Sequence, residues 1–355
     1  MSYNNMYYMN MINLALLGEI VGNAAAAEMG YRLIDNWLQY TSTADLHEFV
    51  SPTYYWVQIN SLYMGYLYAK RPGAKATFKA ILDHTWADVA ANYFIPSQVV
   101  SGPSSRDYDF LYGHGALMVH TYAQGLPGAT NGSLMCEWND THCERNDAGQ
   151  NAFALHNQMQ PDGYRLPPEV YALASAETRE VSSKFIGQSV DANGNMAKFA
   201  HRYNFVKNVS YTIGSASQDY ITNTHSKYFP GPQDKLLSVQ LGVPVESMTR
   251  PVPMITVVPD YLDCPYGHIH EPITDKPSHL ALHPGMVQHH NVLLATTSID
   301  VQVILALCPQ DQSALSPQES ICGANAECRV RVHVFRDSYM ASENTIGHFG
   351  WVCFE

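Results

Sequence analysis

The spacing of apolar residues changes once along this 355-residue chain, and that change limits the folds open to it. Up to about residue 190 they recur at helical spacing; beyond it they alternate every second position. Helical hairpins followed by antiparallel strands make an α+β chain of two parts, 1–190 and 191–355. Apolar residues form 46% of the chain and charged residues 15%, which suits packed cores and not a disordered segment.

The helical signals come in a regular series. Residues 3–21 are apolar on nearly all sides, so this helix is expected to be covered by neighbours. Its core, "MINLALLGEIVG", is interrupted by Glu19 and falls short of the ~20 residues that span a membrane. It also lacks the basic segment that opens a signal peptide. Asn23 caps a second helix to about Tyr40. Ser51 caps a third, with Pro52 at its first position, and that helix stops at Arg71-Pro72-Gly73. A fourth, about 74–94, sets Phe78, Ile81, Leu82, Val89 and Tyr93 at helical spacing. Ser105 caps a fifth, ending at Gly125. Residues 126–165 read as a long polar excursion, and a sixth helix covers about 167–182. Very apolar and amphipathic helices alternate, which predicts a toroid of helical hairpins, with an ordinary bundle as the plain alternative. About six helices is half a full toroid, so further helices are expected before residue 1.

After residue 190, "YNFVKNVSYTIGS", "KLLSVQLGV", "PMITVVPDY", "HNVLLATTS", "VQVILAL" and "CRVRVHVF" read as strands bounded by Gly, Pro and Asn. Several antiparallel strands with long loops predict a β-sandwich.

Charge and cysteine usage narrow the function classes. The net charge is −12, and both halves share the acidic excess. With no basic block, nucleic acid is excluded as a partner. A long polyanion is disfavoured less, because local basic groups act inside acidic proteins. Of seven cysteines, Cys136 with Cys143 and Cys322 with Cys328 close short polar loops, as local disulfides do. Sequons stand at Asn131, Asn139 and Asn208. Together these predict a secreted glycoprotein.

Two helix starts concentrate the chemistry. In "HEFVSPTYY" (47–55) and "GPSSRDYDFLYGHG" (102–115) a Ser cap is followed by tyrosine in the first turn: Tyr54 and Tyr55, then Tyr108. Helix starts favour anions through free N–H groups and the dipole. Arg106 adds a guanidinium suited to a carboxylate, or simply pairs with Asp109. His114, between Gly113 and Gly115, follows one turn later, and Glu48 lies just outside the first helix. Each of these side chains also fits ordinary packing or capping.

The stretches "SYNNMYY", "HEFVSPTYYWVQINSL" and "GPSSRDYDF" resemble motifs of uncharacterised carbohydrate-active proteins. In those proteins a helical (α/α) toroid precedes an antiparallel β-sandwich, as in heparinase-, alginate- and glucuronan-type polysaccharide lyases. The motif likeness covers about residues 2–125. It implies β-elimination on a uronic-acid polysaccharide. That reaction needs a group to neutralise the C6 carboxylate, a base for the C5 proton and an acid for the leaving O4. The resemblance makes Arg106, and Asn4 or Asn5, candidates for the first role. Tyr54, Tyr55, Tyr108, His114 and His47 are candidates for the others, with the choice among them open. Glu48, Tyr54, Asp109 and Asn5 are expected to contact sugar. His201 and Tyr203 in "HRYNF" are secondary candidates from the strand half.

Two other readings stand beside the lyase. Glu48 and Asp109 are a carboxylate pair for a glycoside hydrolase. A non-catalytic extracellular glycoprotein on a lyase-like scaffold, for binding or assembly, is the third. No cofactor is expected. "DCPYGHIHEP" places His268 and His270 on one face of a strand as weak candidates for a structural divalent metal. The partner is a polysaccharide or glycan, and the oligomeric state is open.

Overall fold

The computed structural model describes residues 4–41, 50–52, 54–104, 117–129, 147–186, 199–216, 237–242, 254–259, 285–297, 301–306 and 348–350. Among these, seven helices precede the two larger antiparallel sheets, so the chain is α+β. The helices are α1 (Asn4–Ile20), α2 (Ala24–Thr41), α3 (Tyr55–Tyr68), α4 (Ala74–Asn92), α5 (Leu117–Ala123), α6 (Asp147–Met159) and α7 (Pro168–Ser175). A two-stranded ribbon, β1 (Tyr93–Phe94) and β2 (Val99–Val100), follows α4 directly.

Helices α1 to α4 share one core. Tyr8, Met11 and Ile12 of α1, Tyr31 and Trp37 of α2, and Ile59, Leu62 and Tyr63 of α3 are buried in it. Phe78, Ile81, Leu82 and Val89 of α4 join them, as their spacing requires, and so does Tyr93. Helices α1 and α2 meet through small residues. A Cβ added at Gly30 would stand 2.4 Å from Ala15 N, and one at Gly18 2.4 Å from Ala27 N. Glu19, which interrupts the apolar run, closes this layer. Its carboxylate accepts the Tyr31 hydroxyl at 2.7 Å and the backbone N–H groups of Lys70 and Arg71, each at 3.0 Å. Burial and the carboxylate together push the Tyr31 phenol up to about 12.

Helix boundaries follow their local chemistry. Asn23 Oδ1 accepts the Ala26 N–H at 3.1 Å, the expected cap of α2. Ser51 Oγ accepts the Tyr54 N–H at 3.1 Å, but the helix proper begins at Tyr55. The sixth helix of the sequence reading ends earlier than expected. α7 stops at Ser175, and Thr178–Ile186 is already strand β3. The polar excursion holds a helix, α6, that its Asn- and Asp-rich composition hid.

The main sheet has the order β10-β7-β6-β5-β4-β3, every pair antiparallel. Its strands are β3, β4 (Phe199–Lys207), β5 (Tyr211–Ala216), β6 (Leu237–Leu241), β7 (Met254–Pro259) and β10 (Val301–Ala306). A three-stranded sheet, order β11-β9-β8, is built from β8 (Gly285–His289), β9 (Val292–Thr297) and β11 (His348–Gly350). The two faces of the main sheet differ in chemistry. Arg179, Arg202, Asn204, Val206, Thr212, Ser238 and Gln240 are buried on one face. That face meets the helices and the β1–β2 ribbon: Arg179 bonds Ala91 and Tyr93, Arg202 bonds Asp88, and Gln240 Oε1 accepts the Ser97 hydroxyl. Phe205, Ile213 and Val239 form an apolar patch on the other, and Leu293 of β9 packs on it. Gln288 fastens the β8–β9 hairpin there, donating to Ile213 O at 2.8 Å and accepting the Ser215 hydroxyl at 2.7 Å.

Candidate functional site

Of the sequence candidates, Tyr55 lies in the most connected position. It is the first residue of α3 and is fully buried. Its hydroxyl donates to Asp88 Oδ2 at 2.5 Å. Asp88 lies on α4, and its other oxygen accepts Arg202 Nη2 of β4 at 2.6 Å. Arg202 Nε in turn donates to Ser183 Oγ of β3 at 2.5 Å. A phenol, a carboxylate and a guanidinium from two helices and a strand therefore meet where the helical layer touches the sheet. The carboxylate side chain is 12% exposed and the guanidinium side chain 4%, so solvent screens their attraction little.

One turn further along α4 the network continues. Asn92 Nδ2 donates to Asp88 O at 2.9 Å and to Asp88 Oδ1 at 3.2 Å. Asn92 Oδ1 accepts from Asn204 Nδ2 at 3.0 Å, and the same amide reaches Ser101 Oγ at 3.1 Å. Ser101 closes the ring, donating backbone N–H and hydroxyl to Asn92 O, each at 2.8 Å. Close approach here needs glycine. Gly102 has φ +84°, and a Cβ on Gly214 would stand 2.6 Å from Gly102 Cα. Among the described residues, Asn204 Oδ1, Thr212 Oγ1 and Ser238 Oγ on this face find no hydrogen-bond partner.

Strand alternation sends the other candidates of "HRYNF" to the opposite face. His201 is exposed. Tyr203 donates its hydroxyl to Glu180 Oε2 at 2.8 Å, and His290 Nδ1 also contacts that carboxylate. The Tyr203 hydrogen bond, foremost, holds the Glu180 carboxyl below the usual range. Burial and the same carboxylate raise the Tyr203 phenol. This is a small, half-open acid–base group, separated from the Tyr55 network by the thickness of the sheet.

The remaining described candidates take part in local hydrogen bonds. Tyr54 is partly exposed, with its N–H on Ser51. Asn5 is buried in the first turn of α1, where its Oδ1 accepts the Met6 N–H. Asn208 is 6% exposed in the β4–β5 turn; its N–H donates to Glu177 O at 2.7 Å. Glu48, Arg106, Tyr108, Asp109, His114, Asn131, Asn139, His268, His270 and all seven cysteines, Cys136, Cys143, Cys322 and Cys328 included, lie outside the described residues. Among the described residues no cluster of three or more His, Cys, Asp or Glu is arranged to hold a metal ion. None of their helices is long and apolar enough to cross a membrane.

Asp88, Asn92, Arg202 and Asn204 were missed by sequence reasoning. The signals were present: Asp88 and Asn92 are one helical turn apart, and Arg202 and Asn204 share a strand face. Comparison with known proteins finds no match for this chain among family models, curated protein sequences or solved structures.

Proposed function

We propose that this protein is a secreted, polysaccharide-active protein that cleaves a uronic-acid polymer by β-elimination. The observation that carries the reading is the Tyr55–Asp88–Arg202 triad at the junction of helices and sheet. The helical layer and the stacked sheets also suit a partial toroid joined to a β-sandwich, the architecture implied by the motif resemblance. In the reaction a base removes the C5 proton, the C4–C5 double bond forms, the C4–O4 bond breaks and an acid protonates O4. In this reading Tyr55 carries the proton and Asp88 orients its hydroxyl. Arg202 pairs with Asp88 and lends positive charge for the C6 carboxylate. Arg106 and Tyr108 are proposed as further groups of the same site.

One observation favours a second reading. Tyr55 is fully buried and its hydroxyl is already bonded. A sealed phenol of this kind fits a fold element, and the protein is then an extracellular glycoprotein that binds or assembles on a lyase-like frame. Ultraviolet absorbance during incubation with alginate, glucuronan, heparinoids, pectate and ulvan separates the two. β-Elimination leaves a conjugated double bond that absorbs where the substrate does not. The lyase reading expects a rise with one polymer, abolished in Tyr55→Phe while the circular-dichroism spectrum is kept. No absorbance rise and no new reducing ends from folded protein would overturn the enzyme reading.

A further inference from the structure

Three tyrosines of the helical layer stand ring against ring. Tyr63 and Tyr66 lie one turn apart on α3, and Tyr164 lies in the connection from α6 to α7. The Tyr164 ring centroid is 6.0 Å from that of Tyr63 and 5.9 Å from that of Tyr66, the second pair edge-on. Tyr63 and Tyr164 are buried, whereas Tyr66 is partly exposed. Asn157 fixes Tyr164 in this row: its Nδ2 donates to Tyr164 O at 3.0 Å and its Oδ1 accepts the Tyr164 N–H at 2.8 Å. Aromatic rings at this spacing pass an electron between them readily, so the row joins the surface to the core.

The three rings differ in how well they hold a missing electron. A phenol that loses an electron becomes a strong acid, so its oxidation is easiest where a base already receives its proton. Tyr164 has that partner, since its hydroxyl donates to Asp83 Oδ1 of α4 at 2.9 Å. The Tyr63 hydroxyl instead accepts Gln124 Nε2 at 2.7 Å, and burial pushes the Tyr63 phenol up. Lys75 Nζ stands 4.6 Å from the Tyr66 ring centroid, and a cation there opposes positive charge on the ring. Lys79 Nζ is farther from the Tyr164 ring, at 6.0 Å, and is paired with Asp83 Oδ2 at 2.6 Å. Tyr66 can therefore pass a missing electron inward but does not keep it, and Tyr164 is where it comes to rest.

We propose that Tyr164 is a redox-active tyrosine, oxidised through Tyr66 by a one-electron oxidant of the oxygen-radical class. The oxidant takes one electron from Tyr66, and Tyr164 replaces it across the ring contact. The Tyr164 O–H bond breaks and its proton passes to Asp83 Oδ1. A neutral phenoxyl radical, a carboxylic acid and the reduced oxidant remain. This does not depend on what the protein acts upon.

The test uses the whole chain, with photogenerated ruthenium(III) tris-bipyridine as oxidant and persulfate as the terminal electron acceptor. Electron paramagnetic resonance of frozen samples is the readout. The folded protein should give a tyrosyl radical with a coupling to an exchangeable proton, the one now on Asp83, and heavy water should abolish that coupling. Tyr164→Phe keeps the ring and should keep the circular-dichroism spectrum, but should lose most of the radical signal. Asp83→Asn still accepts a hydrogen bond but cannot take the proton, and should lose most of the signal too. An unchanged radical yield in either variant, a radical with no exchangeable coupling, or no tyrosyl radical in the parent chain would overturn the proposal.

Discussion

Arg202 Nη2 lies 2.6 Å from Asp88 Oδ1, and this ion pair ties the second strand of the main sheet to the last turns of α4. Both side chains are nearly out of water, so each depends on the other. Removing one partner of a buried pair strands the other, at about 3–5 kcal/mol, whereas replacing both by apolar groups is often neutral. Asp88→Ala is expected to cost in that range in urea titrations. Asp88→Leu with Arg202→Met is expected to recover much of the loss. A double variant that loses the sum of the two single losses would show that the pair contributes little coupling.

Arg179 should be the least replaceable residue of the sheet. Its guanidinium lies within hydrogen-bonding distance of Ala91 O, Leu173 O, Ala174 O and Ala176 O, and also contacts Tyr93 O. It thereby satisfies the carbonyl ends of both α4 and α7. Burial lowers its pKa to about 10, still far above neutrality. Arg179→Met is expected to destabilise by at least about 3 kcal/mol, since several buried acceptors lose a charged donor. Arg179→Lys should rescue only part, because an ammonium cannot fork toward two helix ends. Chemical denaturation of the three proteins measures this.

His120 predicts an acid limit to stability. It is fully buried against Tyr63, neither ring nitrogen has a hydrogen-bond partner among the described residues, and burial lowers its pKa to about 3. In the unfolded chain the ring titrates near 6.5. Between those values the unfolded state binds a proton that the folded state refuses, so stability rises with pH. The contribution is complete above about pH 6.5 and is lost as pH falls toward 3, by up to about 1.4 kcal/mol per pH unit. His120→Phe should flatten that part of the stability–pH curve measured by thermal melts in matched buffers.

Gly30→Ala reverses an ordinary rule. In a helix interior this change usually stabilises by roughly 0.5–1 kcal/mol. Here the new Cβ would meet Ala15 N at 2.4 Å and Met11 O at 2.6 Å, both backbone atoms of α1. The helices must separate, at a cost of about 1–3 kcal/mol. A melting temperature above that of the parent chain would show that the α1–α2 contact is looser than this.

The elements were legible where one local signal dominated. Phe78, Ile81, Leu82 and Val89 recur at helical spacing and all lie in the core. Strands β6, β7, β9 and β10 lie within the stretches whose residues alternate, and β4 and β5 overlap one of them. The misreadings have equally local causes. α6 has few large apolar residues, so its sequence reads as loop. β3, "TREVSSKFI", is too polar to announce a strand, and its place is set by pairing with β4.

The site was half legible for a different reason. Sequence singled out Tyr55 from its place at a helix start, and it singled out "HRYNF" from its chemistry. Alternation along a strand decides only that Arg202 and Asn204 share one side, while His201 and Tyr203 share the other. Which side meets the helices is a property of the packed layers, because it depends on where Asp88 and Asn92 of α4 come to rest. The same holds for α1. Its sequence determined an apolar helix with one charge, but only the packing of α2 and α3 decided which of its residues are buried. Local periodicity fixes what an element is and which residues share a face. Burial of one face against another is a long-range choice, and only the tertiary structure makes it.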